Sequence, residues 1–143
     1  MKSANLNNLT YAVRLDPGDD IHVSLQDFCR RHHIQNASLE GIGSVEALTL
    51  AHYSIKTKQF TNKLLEGIFE ITSLLGNVAM IDNEPSSHVH ITVADSSMQV
   101  FGGHLVRGKC SATLEVIVTA FPSNVTKIHN HRIGLNVWDF DEH

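Results

Sequence analysis

Histidine is over-represented in this chain, with ten among 143 residues, and three of the ten stand in a pattern that could hold a metal ion. Two lie in the run Ser87-His88-Val89-His90-Ile91-Thr92-Val93-Ala94-Asp95. Read as a β-strand, this run alternates, so His88, His90, Thr92 and Ala94 face one way and Val89, Ile91 and Val93 the other. Two imidazoles therefore come side by side without help from distant sequence. A third, His104, follows Gly102-Gly103, a pair that lets the backbone bend or pass close to another group. Three neutral imidazoles with a fourth position open are a common way to hold catalytic zinc. An imidazole set without nearby thiolates favours zinc over iron or copper. The bland alternative is three surface or satisfied core histidines.

Ligating histidines need an acceptor at the second ring nitrogen. Asp95 has the wrong strand parity unless the strand bulges; Glu66, Glu70 and Glu84 remain open as orienting groups. Glu70 is also the one candidate for general acid–base work, although a glutamate on an amphipathic strand equally fits an outward or interface position. Arg14 suits either an anion or a salt bridge. His129-Asn130-His131 repeats the His-x-His spacing near a strand–turn junction, lacks an obvious third partner, and reads as solvent-exposed. His22 and His52 are isolated and read as structural. His32 and His33 are adjacent and point apart on a helix.

The elements that must position these residues are mostly strands. Residues 8–15 form a first strand, and the acidic turn Asp16-Pro17-Gly18-Asp19-Asp20 suits the start of a helix over 20–33. Ile21, Leu25, Phe28 and His32 share one face of that helix, and Asn36 reads as its stop. Residues 37–43 form a strand bent at its glycines, 45–53 a stronger one, and Lys56-Thr57-Lys58 a hairpin tip. Strands over 59–65, 66–76 and 78–81 follow, with a turn at Gly76-Asn77. A loop over 82–87 leads into the His-x-His strand. A tight turn is expected at 105–109, a long strand over 110–121, and two more over 125–131 and 133–140. One helix and eight to ten short strands predict an α+β fold, a single domain over 1–143 with one large, mostly antiparallel sheet.

Composition narrows the function. The formal charge of −4 and the scattered eleven lysines and arginines argue against a general nucleic-acid surface. Arg30-Arg31 fall at the end of the predicted helix, where cations complement the dipole. No run is long enough to span a membrane and no signal pattern is present, so a cytoplasmic location is expected. Cys29 and Cys110 suggest buried thiols in a reducing compartment rather than a disulfide framework. No nucleophile elbow, phosphate loop or dinucleotide fingerprint occurs.

The succession Tyr11-Ala12-Val13-Arg14-Leu15, Pro17-Gly18-Asp19-Asp20, Gly41-Ile42-Gly43-Ser44-Val45, Gly67-Ile68-Phe69-Glu70-Ile71-Thr72-Ser73-Leu74-Leu75-Gly76, His88-Val89-His90-Ile91 and Gly102-Gly103-His104-Leu105 resembles the plants-and-prokaryotes conserved (PPC) domain, over residues 8–140. The resemblance implies a largely antiparallel sheet assembled into homotrimers, with zinc on the His-x-His and Gly-Gly-His histidines. Those positions are His88, His90 and His104 here, not His129 or His131. A partner chain's residue could then complete the shell. Plant members of the family follow AT-hooks, but this sequence has no Arg-Gly-Arg-Pro, so it resembles the stand-alone bacterial type. Ile68 replaces the arginine of the plant Gly-Arg-Phe-Glu-Ile-Leu segment, so the partner interactions of that segment do not carry over. A looser similarity to the fold and histidine arrangement of acetolactate decarboxylases covers fold and ligands, and a shared fold does not transfer a reaction.

Two functions follow as expectations. The first is a trimeric binding or regulatory module around a zinc ion, with room for a small-molecule ligand near the metal. The second is a zinc enzyme on a small oxygenated metabolite, with Glu70 or a nearby carboxylate carrying protons. The first is preferred because the chain shows ligands without a clear acid–base partner. DNA association ranks third.

Overall fold

The alternating pattern around the two histidines is realised in one extended sheet. In the computed structural model, which describes residues 1–140, the elements are β1 (Lys2–Asn7), β2 (Thr10–Leu15), α1 (Ile21–Arg31), β3 (Ala37–Ser54), β4 (Gln59–Ile81), β5 (Glu84–Ala94), β6 (Val100–Ala120), β7 (Thr126–Asn130) and β8 (Leu135–Asp139). The path runs β1-β2-β6-β3-β4-β7-β8, and β5 pairs with both β4 and β6. Strands β3, β4, β5 and β6 thus form a closed circuit. Every pairing is antiparallel except the single parallel contact of β4 with β7, Met80 to Thr126. The architecture is the expected α+β single domain with one helix.

The helix starts where the acidic turn predicts. Asp20 caps it, its carboxylate accepting from the Val23 amide at 3.0 Å. Ile21, Leu25, Phe28 and Cys29 are buried, and the helix packs over β5 and β6. Beneath it lie Val89, Ile91 and Val93, each no more than 2% exposed. Each such side chain contributes about 1.5–3 kcal/mol on burial, so the helix decides which face of β5 points inward. The histidine face must then point outward. Both cysteines are free and buried, and desolvation pushes the Cys29 thiol up to about 12.

Several sequence expectations are corrected. Helix α1 ends at Arg31 with His32 as its cap, and Asn36 does something other than stop it. Its buried side chain donates to Val125 O at 2.7 Å and accepts from the Val125 amide at 2.9 Å, fastening the loop before β7. Strand β1 precedes the expected first strand; all six of its residues are exposed, so it carries no apolar pattern. The reversal into β2 is made by Asn7, whose side chain accepts from the amides of Leu9 and Thr10. Asp82 and Asn83, with φ of 50° and 64°, form a two-residue hairpin, so β5 begins at Glu84 rather than after a loop to 87.

The expected turns at Gly76-Asn77 and at 105–109 are absent. Strand β4 runs through the first without a break over 23 residues, and β6 runs through the second over 21. The glycines serve close packing. A Cβ at Gly76 would stand 2.5 Å from the His88 carbonyl oxygen, and one at Gly108 would stand 2.8 Å from Val45 Cγ2. The bend expected at Gly41 and Gly43 is present as register shifts on both sides of β3.

Gly76→Ala should therefore lower stability by about 1–3 kcal/mol, the usual range for overpacking, as read by thermal melting. Gly102→Ala, whose nearest contact is 3.3 Å away, should cost less.

Candidate metal centre

Antiparallel pairing assembles the three histidines. His90 and His104 stand directly opposite each other in the β5–β6 ladder, and His88 lies two residues along β5 on the same face. Directly paired side chains have Cβ atoms about 4.5–5.5 Å apart. The ring centroids are separated by 5.2 Å (His88–His90), 5.2 Å (His88–His104) and 5.5 Å (His90–His104). One ligand nitrogen from each lies within 4.8 Å of the other two. Tetrahedral zinc, about 2.0–2.1 Å from each nitrogen, asks for about 3.4 Å between them. Small side-chain rotations supply that closure, so the donor set fits the ion. Gly103 lets the strands converge here, since a Cβ on it would meet the Ala51 carbonyl oxygen at 3.0 Å.

The triad lies in a cleft of about 840 Å³. Tyr53 and Phe60 form one wall from the β3–β4 hairpin, with the Phe60 ring 5.6 Å from that of His104. Lys127, His129, Leu135 and Asn136 form another from the β7–β8 hairpin. The two hairpins are tied together: Tyr53 Oη donates to Ile133 O at 2.6 Å, and Lys58 Nζ donates to His131 O at 3.0 Å. Lys127 is half-buried and donates to Asn77 Oδ1 at 3.1 Å. Asn77 is the β4 partner of His88, so the ammonium stands one side chain from the triad.

The electrostatics favour neutral imidazole. Burial first, then the charge of Lys127 and the neighbouring His104, His90 and His22, push the His88 pKa down to about 4. His104 is also held below its ordinary value, chiefly by burial and then by His90, His22 and Lys127. Burial lowers Lys127 too. At neutral pH His88 and His104 offer lone pairs, the state a metal requires.

The carboxylates considered from the sequence lie elsewhere. Glu70 pairs with Ala94, four residues along the strand from His90, about 13 Å away at the usual strand rise. It does not line the cleft, and neither does Glu66. Glu84 accepts from Arg30 Nε at 2.9 Å on the outer surface. Asp95 accepts from the Ser97 amide, the Ser97 hydroxyl and the Gln99 amide in the turn after β5, and these bonds hold its carboxyl below the usual range. Arg14 forms an ion pair with Asp16 at 3.1 Å. His22 clasps Ser87 Oγ at 2.7 Å and Leu105 O at 3.0 Å, fitting its structural reading. His52 lies on the cleft rim, and His129 is exposed there with Nδ1 3.2 Å from Asn136 Oδ1. Lys127 was missed. Only its short, weakly patterned strand could have signalled it, and nothing local shows where that strand docks.

The sequence profile of the Plants and Prokaryotes Conserved (PCC) domain matches residues 3–122. The chain belongs to this family. The histidine triad falls inside the matched segment, and the β7–β8 hairpin lies beyond it. Among solved structures, a provisionally named DNA-binding protein from Bacteroides thetaiotaomicron is 29% identical with a TM-score of 0.93, over 97% of this chain and 96% of that one. A plant- and prokaryote-conserved (PPC) protein from Pyrococcus horikoshii is 27% identical with a TM-score of 0.86, over 94% and 93% of the two chains. A metal-containing protein from Archaeoglobus fulgidus is 27% identical with a TM-score of 0.85, over 92% and 93%. Two bifunctional GlmU proteins of Synechococcus are 33% and 32% identical over 111 residues, 77% of this chain. The chain spans about one sixth of their length, 16% and 17%.

With a pKa of about 4 folded and an ordinary value of 6.5, His88 binds more protons unfolded than folded between those limits. Stability of the metal-free protein should therefore rise with pH through this window and be lost as pH falls through it. Melting of chelator-treated protein at several pH values should show this slope, and His88→Gln should flatten it.

Proposed function

We propose that this family member is a homotrimeric zinc-binding module, cytoplasmic, in which His88, His90 and His104 hold the ion and leave a position open to the cleft for a small molecule. The observation that carries the reading is the convergence of three imidazoles from β5 and β6 in the lining of that cleft. The metal-containing relative from Archaeoglobus fulgidus supports it. A zinc ion there would polarise a bound carbonyl or acidify a bound water.

The open cleft also favours a second reading, a zinc-dependent enzyme on a small oxygenated metabolite. Against it, no carboxylate among the described residues lines the cleft, so Glu70 or a nearby carboxylate, the proton carrier expected from the sequence, is not at hand. DNA association, the description of the Bacteroides relative, is the third reading and fits poorly with a net charge of −4. Among the described residues no helix is long and apolar enough to cross a membrane.

Trimer formation is supported by the outer face of the sheet beside the triad. Ile42 (61% exposed), Leu75 (58%) and Ile117 (41%) line a groove of about 670 Å³ there. Leu75 is the direct β4 partner of His90, so this apolar surface reaches the site itself. Contiguous exposed apolar surface of this kind marks interfaces.

Protein purified without an affinity tag should carry about one zinc per chain by elemental analysis, and His88→Ala or His104→Ala should remove it. At a hundredfold excess over the dissociation constant, zinc should stabilise the fold by about 2.7 kcal/mol. A metal-free wild type whose melting ignores zinc would defeat the reading. Light scattering should give the mass of three 15.8 kDa chains, and Ile42→Glu with Ile117→Glu should release monomers.

A further inference from the structure

The cleft over the triad is positively charged without a fixed counter-ion. Its described lining contains the three triad histidines, His52 and His129 at the rim, Lys127, serines, Asn136 and apolar or aromatic groups, but no aspartate or glutamate. On the metal-binding reading above, a divalent ion on three neutral imidazoles adds two positive charges beside that of Lys127. Lys127 is half-buried, and charge drawn from water without a partner is costly. Lys127 is also held in place, with one ammonium proton donated to Asn77 Oδ1 and two left for another acceptor. Its hairpin is fastened by Tyr53 and Lys58, and Gly134 seats the turn closely: a Cβ on it would stand 2.6 Å from Tyr53 Oη. Beside these charges lie Tyr53, Phe60 and Leu135, a surface suited to carbon rather than to a bare inorganic ion.

We propose that the cleft binds a small organic carboxylate, whose charge is shared between the histidine-bound metal and the Lys127 ammonium and whose carbon chain lies against Tyr53, Phe60 and Leu135. The inference rests on the metal reading and names the ligand class of the same site. Lys127 is an anchoring residue in this role, because a charge-assisted hydrogen bond from ammonium to carboxylate exceeds a neutral one in strength.

The test uses the full chain loaded with cobalt(II), whose visible absorption responds to the fourth ligand, titrated with propionate, the neutral isostere propionamide, and inorganic phosphate. Propionate should shift the spectrum, and propionamide should bind at least tenfold more weakly. Lys127→Gln keeps an amide that can donate to Asn77. It should leave cobalt uptake and melting unchanged while weakening propionate by about tenfold or more, the scale of one charged hydrogen bond, and Lys127→Arg should recover most of the loss. Equal binding of propionamide, unaltered propionate binding in Lys127→Gln, or phosphate binding tighter than propionate would each overturn the proposal with the metal site intact. Failure of the wild type to take up cobalt, visible before any anion is added, would defeat the metal reading and this proposal together.

Discussion

Strand β5 lies between β4 and β6, and the rest of the site follows from its register. Pairing with β6 sets His90 against His104, and pairing with β4 sets Asn77 against His88. A slip by one residue would turn Val89 and Val93 to the outer face and bury both histidines. What prevents the slip is hydrophobic burial beneath α1, where Val89, Ile91 and Val93 join the core. The outward imidazoles are thus held by the inward valines. The same pairing closes the circuit of β3, β4, β5 and β6, which leaves β5 without a free edge.

That closure has an electrostatic consequence. Burial first, and then the neighbouring imidazoles and the Lys127 ammonium, disfavour protonation of His88 and His104. The arrangement would be a liability in a site without a partner ion. It becomes sensible if a cation replaces the protons, since a metal ion uses the lone pairs that crowding keeps available. The β7–β8 hairpin, outside the segment matched by the family profile, turns a bare triad into a walled cleft and brings the only lysine of its lining.

Glycine was the residue type most easily misread. At Gly76 and Gly108 the sequence pattern suggested turns, whereas both lie inside strands of more than 20 residues. The signal is ambiguous in principle, because a missing Cβ permits a turn and also permits a neighbouring backbone to come close. Only the position of the neighbouring strand, β5 for Gly76 and β3 for Gly108, distinguishes the two uses. The same limit hid β1, whose exposed residues carry no alternation to read.

Alternation is a local property, so the sequence by itself determined that His88 and His90 share a strand face, that Val89, Ile91 and Val93 oppose them, and that one amphipathic helix starts at Asp20. The motif resemblance extended this to His104. Tertiary structure alone decided the distances within the triad, the remoteness of Glu70, Glu84 and Asp95, and the arrival of Lys127 beside His88. Each of those depends on pairings between residues far apart in the chain, as between Asn77 and Lys127. Spacing along a strand carries no information about which distant strand docks against it, and for this protein that choice sets the chemistry of the cleft.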